Sequence, residues 1–147
     1  MRLLPILALA LLPIGAAIGS TSYLSTSDDK LSDSMKVLGK NQRTVKKLIK
    51  DVESNERELL ETLGAMEDAV LVGLGRPSPP APKGVEGKDA ELFEIGYRRT
   101  LVSLLDTTLH MQAATLEGDA DALAEGYKEM SGLKSAGHTE FRDTDRE

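Results

Sequence analysis

The stretch "LSDSMKVLGKNQRTVKKLIKDV", residues 31–52, repeats a mostly apolar position at every third or fourth residue. Residues at this spacing lie on one face of an α-helix, so the pattern predicts an amphipathic helix with one buried stripe. The stripe consists of Leu31, Met35, Leu38, Gln42, Val45, Ile49 and Val52. The polar residues 20–30 before it are expected to be frayed.

Three further stripes of the same period follow, in residues 59–73, 93–115 and 123–141. No stretch alternates apolar and polar residues as a strand exposed on one face would. The second stripe holds Leu59, Leu63 and Met66, and the fourth holds Leu123, Tyr127 and Phe141. The chain is therefore predicted to be all-α, with four helices sharing one core.

The joins between the stripes predict how the helices are connected. Residues 51–55 form a short polar join, and residues 75–89 form a loop rich in proline and glycine. Gly118 is expected to end the third helix, and Asp119 is expected to cap the fourth. Short joins make neighbours antiparallel, which favours an up-down-up-down four-helix bundle. The alternative is a longer coiled-coil hairpin that dimerises, but the proline-rich loop favours a compact monomer.

Residues 1–19, "MRLLPILALALLPIGAAIG", have the pattern of a secretory signal peptide, with one arginine, an apolar run and a small-residue end. We expect cleavage near Gly19, export to the periplasm and a mature bundle of residues 20–147. A retained membrane anchor is the alternative. Pro5 and Pro13 interrupt the run, which is short for a span of about 20 residues. No stable membrane insertion is expected after cleavage.

The composition limits the chemistry of the protein. The chain has no cysteine, which excludes a disulfide, a thiolate metal site and a thioether link to haem. Its net charge of −6 makes nucleic acid an unexpected partner, because a basic face is the usual footprint. His110 is expected to be solvated and far from His138, whereas a zinc site needs three or four ligands. No nucleophile elbow accompanies His138, so hydrolytic catalysis is not expected.

Antiparallel order brings the start of the first helix and the end of the fourth helix to one end of the bundle. Met35 is expected within the first two turns of the first helix and His138 within the last two turns of the fourth, so we expect them to face each other at similar height. Phe93, Tyr97 and Phe141, three of the five aromatic residues, collect at the same end. A thioether opposite an imidazole in an aromatic pocket suits a haem iron. Methionine as core filler and histidine as a partner of the helix dipole remain open alternatives.

Several motifs resemble those of the soluble periplasmic cytochrome b562 family. "LSDSM" at 31–35 is similar to the family segment that carries the axial methionine, and "HTEFR" at 138–142 is similar to the ending that carries the axial histidine. "SPP" at 78–80 resembles the loop of the family, and "YRR" at 97–99 resembles its Phe-Arg-His motif. From residue 97 to 142 the similarity runs without a gap. Two departures are Lys134, where the family often has arginine, and Gly137, which replaces a larger residue.

The resemblance implies a periplasmic electron-transfer protein that holds one non-covalent haem b. It implies Met35 and His138 as the axial iron ligands, and Phe93, Tyr97 and Phe141 as residues that line the haem. Arg142 corresponds to an arginine that pairs with a haem propionate. With both axial positions filled by protein, the expected activity is one-electron transfer with redox proteins and not an enzymatic reaction. The alternative is a haem-free periplasmic helical adaptor or stress protein.

Overall fold

The computed structural model describes the backbone of residues 23–141 and the side chains of residues 30–141. The expected signal peptide, residues 1–19, and Arg142 lie outside this part of the chain. Four helices form: α1 (Tyr23–Leu48), α2 (Val52–Leu74), α3 (Lys88–Glu117) and α4 (Ala120–Phe141). Each helix packs against the next, α1 also touches α4, and none of the described residues lies in a strand. The predicted all-α four-helix bundle is confirmed.

Two helix boundaries differ from the prediction, the start of α1 and the start of α2. Helix α1 begins at Tyr23, since residues 20–30 contain no proline or glycine to stop it. Val52, expected at the end of the first helix, is the first residue of α2. Asp51 causes this change, because its side chain accepts a hydrogen bond of 3.1 Å from the backbone N–H of Ser54 and so caps α2.

The turn between α3 and α4 confirms the predicted roles of its two residues. Gly118 has a φ of 68°, a left-handed conformation that glycine adopts without steric cost. Asp119 then accepts a hydrogen bond of 2.9 Å from the backbone N–H of Ala122. These two features stop α3 and start α4 within three residues, so the two helices are antiparallel neighbours.

The centre of the bundle is packed from leucine, valine and methionine. The largest fully buried side chains include Leu59, Leu63, Met66, Met111, Leu123 and Met130. Helix α4 packs tightly against α3 at Gly126, where a Cβ atom would lie 2.6 Å from Cγ of Met111. Gly126 is therefore required by the packing, since a larger residue would overlap a buried side chain.

Candidate functional site

A partly buried polar bridge connects α1 to α4. Nε2 of Gln42 donates a hydrogen bond of 3.0 Å to Oγ of Ser131, and Nζ of Lys134 donates one of 3.0 Å to Oε1 of Gln42. Gln42 is only 7% exposed, so its amide needs these partners. Helices α1 and α4 touch much less than each consecutive helix pair does. The bridge shows that Gln42 and Ser131 lie at the same height on the two helices.

Met35 and His138 lie at equal distances from this bridge. Met35 is seven residues before Gln42, and His138 is seven residues after Ser131. Because the two helices are antiparallel, both steps of about 10.5 Å run toward the same end of the bundle. Seven residues also make nearly two full turns, so each residue stays on the side of its helix that carries the bridge. Met35 and His138 are therefore level on facing helices.

The helix ends do not provide this match. Met35 is twelve residues after the start of α1 at Tyr23, whereas His138 is three residues before the end of α4 at Phe141. The prediction that Met35 lies in the first two turns of its helix is wrong, because α1 extends further back along the chain. The equal height follows instead from the contact between Gln42 and Ser131.

The side chain of Met35 is half-buried and packs against the core. Its methyl carbon Cε lies 3.2 Å from the point that a Cβ on Gly73 would occupy. Cδ1 of Leu101 lies 3.4 Å from the same point, so Met35 fills space between α2 and α3. A methionine has three rotatable bonds beyond its backbone, which allows the thioether to turn toward α4.

His138 lies on the surface of α4 and is exposed. Its neighbour Gly137 faces α3, where Cγ2 of Thr100 lies 3.4 Å from the point that a Cβ on Gly137 would occupy. The backbone beside His138 is thus held against α3. The structure brings Met35 and His138 to one height, with Met35 turned into the core and His138 turned outward.

The three aromatic residues gather as predicted. The ring of Phe141 meets Phe93 at a centroid distance of 5.1 Å and Tyr97 at 5.4 Å, both edge to face. Gly96 permits this approach, because Cζ of Phe141 lies 3.6 Å from where its Cβ would be. Tyr97 is buried, and this burial raises the pKa of its phenol. The rings pack against one another and close this end of the α3–α4 seam.

His110 is the other histidine of the chain and lies on α3, outside this end of the bundle. His110 is exposed, as predicted, and its Nδ1 lies 3.0 Å from the backbone oxygen of Asp106 on the same helix. Among the described residues, no cluster of three or more histidine, aspartate or glutamate side chains is arranged to hold a metal ion. His110 therefore belongs to the solvated surface of α3.

The sequence predicts that Gln42 lies on the buried stripe of the first helix, but it does not reveal the partners of Gln42 on α4. Gln42 interrupts an otherwise apolar stripe, and a polar residue at a buried helix position requires a hydrogen-bond partner. Ser131 and Lys134 lie three residues apart on α4, at the spacing of one helix face. Their pairing with Gln42 depends on the height of α4, which no local pattern reveals.

Comparison with known proteins identifies no relative of this chain. No family model, no curated protein and no solved structure matches the chain significantly. None of the four helices in the described part of the chain is long and apolar enough to cross a membrane.

Proposed function

We propose that this protein is an exported electron-transfer protein that binds one non-covalent haem b through Met35 and His138. The observation that supports the proposal is the Gln42–Ser131 hydrogen bond, from which the helix rise gives Met35 and His138 equal heights on neighbouring helices. The donor set fits the cofactor, because a thioether and an imidazole are a known axial pair for haem iron. The motifs that resemble the cytochrome b562 family point to the same two residues.

The surrounding residues fit the same role. When bound, haem supplies an iron that cycles between the ferric and ferrous states with one electron. Phe93, Tyr97 and Phe141 keep water from that end of the bundle, which favours the less charged state of a nearby redox centre. Arg142 follows Phe141 directly in the sequence, and its guanidinium can pair with a haem propionate. With haem bound, Met35 and His138 would both hold its iron, which would leave no position on the metal for a substrate.

Binding requires two movements. Met35 has to turn from Gly73 toward α4, and α1 has to separate from α4 beyond the bridge. The seam between α1 and α4 has the least contact of the four seams between neighbouring helices, so it opens at the lowest cost in buried area. The Gln42–Ser131 bridge lies about 10.5 Å from both ligands and can persist while the end opens.

A haem-free helical adaptor is the second candidate, and one observation favours it. The core closes without a cofactor, since Met35 packs against α2 at Gly73. Among the described residues, no buried side-chain nitrogen or oxygen lacks a hydrogen-bond partner. A bundle complete in this way can present its outer faces to a partner and needs no prosthetic group.

A titration of the purified protein with haemin, followed by absorbance, separates the two candidates. We expect a saturable one-to-one Soret shift and sharp low-spin bands after reduction with dithionite. His138→Ala should lose the low-spin spectrum, whereas the control His110→Ala removes the other histidine and should retain it. A shift that does not saturate, or equal spectra for both variants, would favour the haem-free adaptor.

A further inference from the structure

The outer face of α3 carries an apolar stripe that the bundle does not cover. Of the eight large apolar side chains that are exposed in the described part of the chain, five lie on α3. Each of the five is at least 43% exposed. They are Leu92, Ile95, Val102, Leu109 and Leu116. Apolar residues concentrated on one helix face in this way mark an interaction surface more often than scattered ones do.

The stripe has the spacing of a coiled-coil seam. Ile95, Val102, Leu109 and Leu116 are each seven residues apart, and Leu92 precedes Ile95 by three. The stripe extends over about 36 Å of helix. It lies on the side of α3 away from Tyr97, Leu101 and Met111, which the core buries. Arg99, Asp106 and Ala113 complete the second row of the seam.

We propose that a second copy of this chain docks along this α3 stripe in antiparallel orientation, giving a two-fold symmetric dimer. In the register centred on residue 104, Leu92 meets Leu116 of the partner subunit. Ile95 meets Ala113 of the partner subunit, and Val102 meets Asp106 of the partner subunit. The two apolar ends of the stripe thus cover each other.

The charges in the stripe select this orientation. In the antiparallel register, Arg99 lies about 4.5 Å along the axis from Asp106 of the partner subunit, within reach of its long side chain. Symmetry forms this pair twice. A parallel dimer would place Arg99 against Arg99 of the partner subunit and Asp106 against Asp106 of the partner subunit. Two like-charge contacts inside an apolar seam are unfavourable, so the stripe is complementary to itself only when antiparallel.

The net charge argues for a second copy over a lipid surface. Anionic membranes attract helices with a basic polar face, whereas this chain carries a net charge of −6. The dimer also leaves the proposed haem seam free, since that seam lies between α1 and α4 and the stripe lies on the outside of α3. The inference therefore does not depend on the proposed function. It departs from the expectation of a monomer, which rested on the proline-rich loop alone.

Sedimentation equilibrium of the purified full chain over a range of concentrations tests the proposal. We expect a monomer–dimer equilibrium that Val102→Asp weakens at least tenfold. Val37→Asp is the matched control, because Val37 is an exposed valine on α1, and it should leave the equilibrium unchanged. Both substitutions lie on the surface, and circular dichroism should report the same helix content in both variants.

A charge reversal tests the register. Arg99→Glu should weaken the dimer, and the double variant Arg99→Glu/Asp106→Arg should restore it. A monomer at every concentration, or a dimer that Val102→Asp leaves intact, would overturn the proposal. A monomer whose α3 stripe instead binds lipid vesicles or a different protein would overturn it as well.

Discussion

Gln42 on α1 and Ser131 on α4 are joined by a hydrogen bond of 3.0 Å between Nε2 and Oγ. Ser131 in turn donates to the backbone oxygen of Tyr127 at 2.9 Å, so the bridge extends into the backbone of α4. Elsewhere α1 and α4 touch little. One polar contact therefore has a large share in holding the first helix to the last.

Substitution Gln42→Ala should lower the free energy of unfolding by about 1–3 kcal/mol, because it removes both hydrogen bonds that join α1 to α4, one of them from the charged Lys134. Amide hydrogen exchange should rise mainly in α1 and α4. The control is Gln112→Ala, which removes a 2.9 Å hydrogen bond to Glu67 between α2 and α3. Those helices share a large interface, so their exchange should change little. Equal exchange patterns in the two variants would contradict the role given to the bridge.

Substitution Gly126→Ala should lower the free energy of unfolding by about 1–3 kcal/mol, the usual cost of overpacking. The new methyl would lie 2.6 Å from Cγ of the fully buried Met111. Gly132→Ala is the matched control on the same helix, since no atom lies within 4 Å of its Cβ position. That change should raise stability by up to about 1 kcal/mol through helix propensity. Chemical denaturation measures the free energy of unfolding of both variants. A stabilising Gly126→Ala would contradict the tight contact between Gly126 and Met111.

Alkaline pH should destabilise the protein through Tyr97. Burial raises the pKa of its phenol above the ordinary 10.0, so the folded state holds this proton more tightly than the unfolded chain. This contribution to stability is complete below pH 10.0 and is lost as the pH rises through the raised pKa. Tyr97→Phe keeps the ring and should reduce the alkaline loss, measured by denaturation across pH. Equal alkaline loss in wild type and Tyr97→Phe would refute the assignment.

Local rules were sufficient for the helices and for one of the turns. Each predicted stripe lies within a helix apart from Ile49 and Val52, and the roles of Gly118 and Asp119 follow from glycine and aspartate chemistry alone. The gathering of Phe93, Tyr97 and Phe141 could also be predicted, since antiparallel order fixes which helix ends meet. These features depend on residues close in sequence or on topology.

Features that depend on the detailed packing of side chains between helices could not be predicted. Helix α3 has apolar residues at seven-residue spacing on two sides, so periodicity does not tell which side the core buries. Met35 turns toward α2 because Gly73 leaves room there for its methyl group, a consequence of packing across two helices. Val52 begins α2 and does not end α1, because the side chain of Asp51 caps α2. In each case a distant or competing contact outweighed the local pattern.

The proposed function requires that Met35 and His138 both bind the iron of one haem. Near-infrared magnetic circular dichroism of the ferric complex tests it most directly, because the charge-transfer band depends on the identity of both ligands. We expect a band typical of a thioether–imidazole pair in the wild-type protein, absent from both Met35→Leu and His138→Ala. A band typical of imidazole with water or hydroxide, unchanged by Met35→Leu, would contradict it.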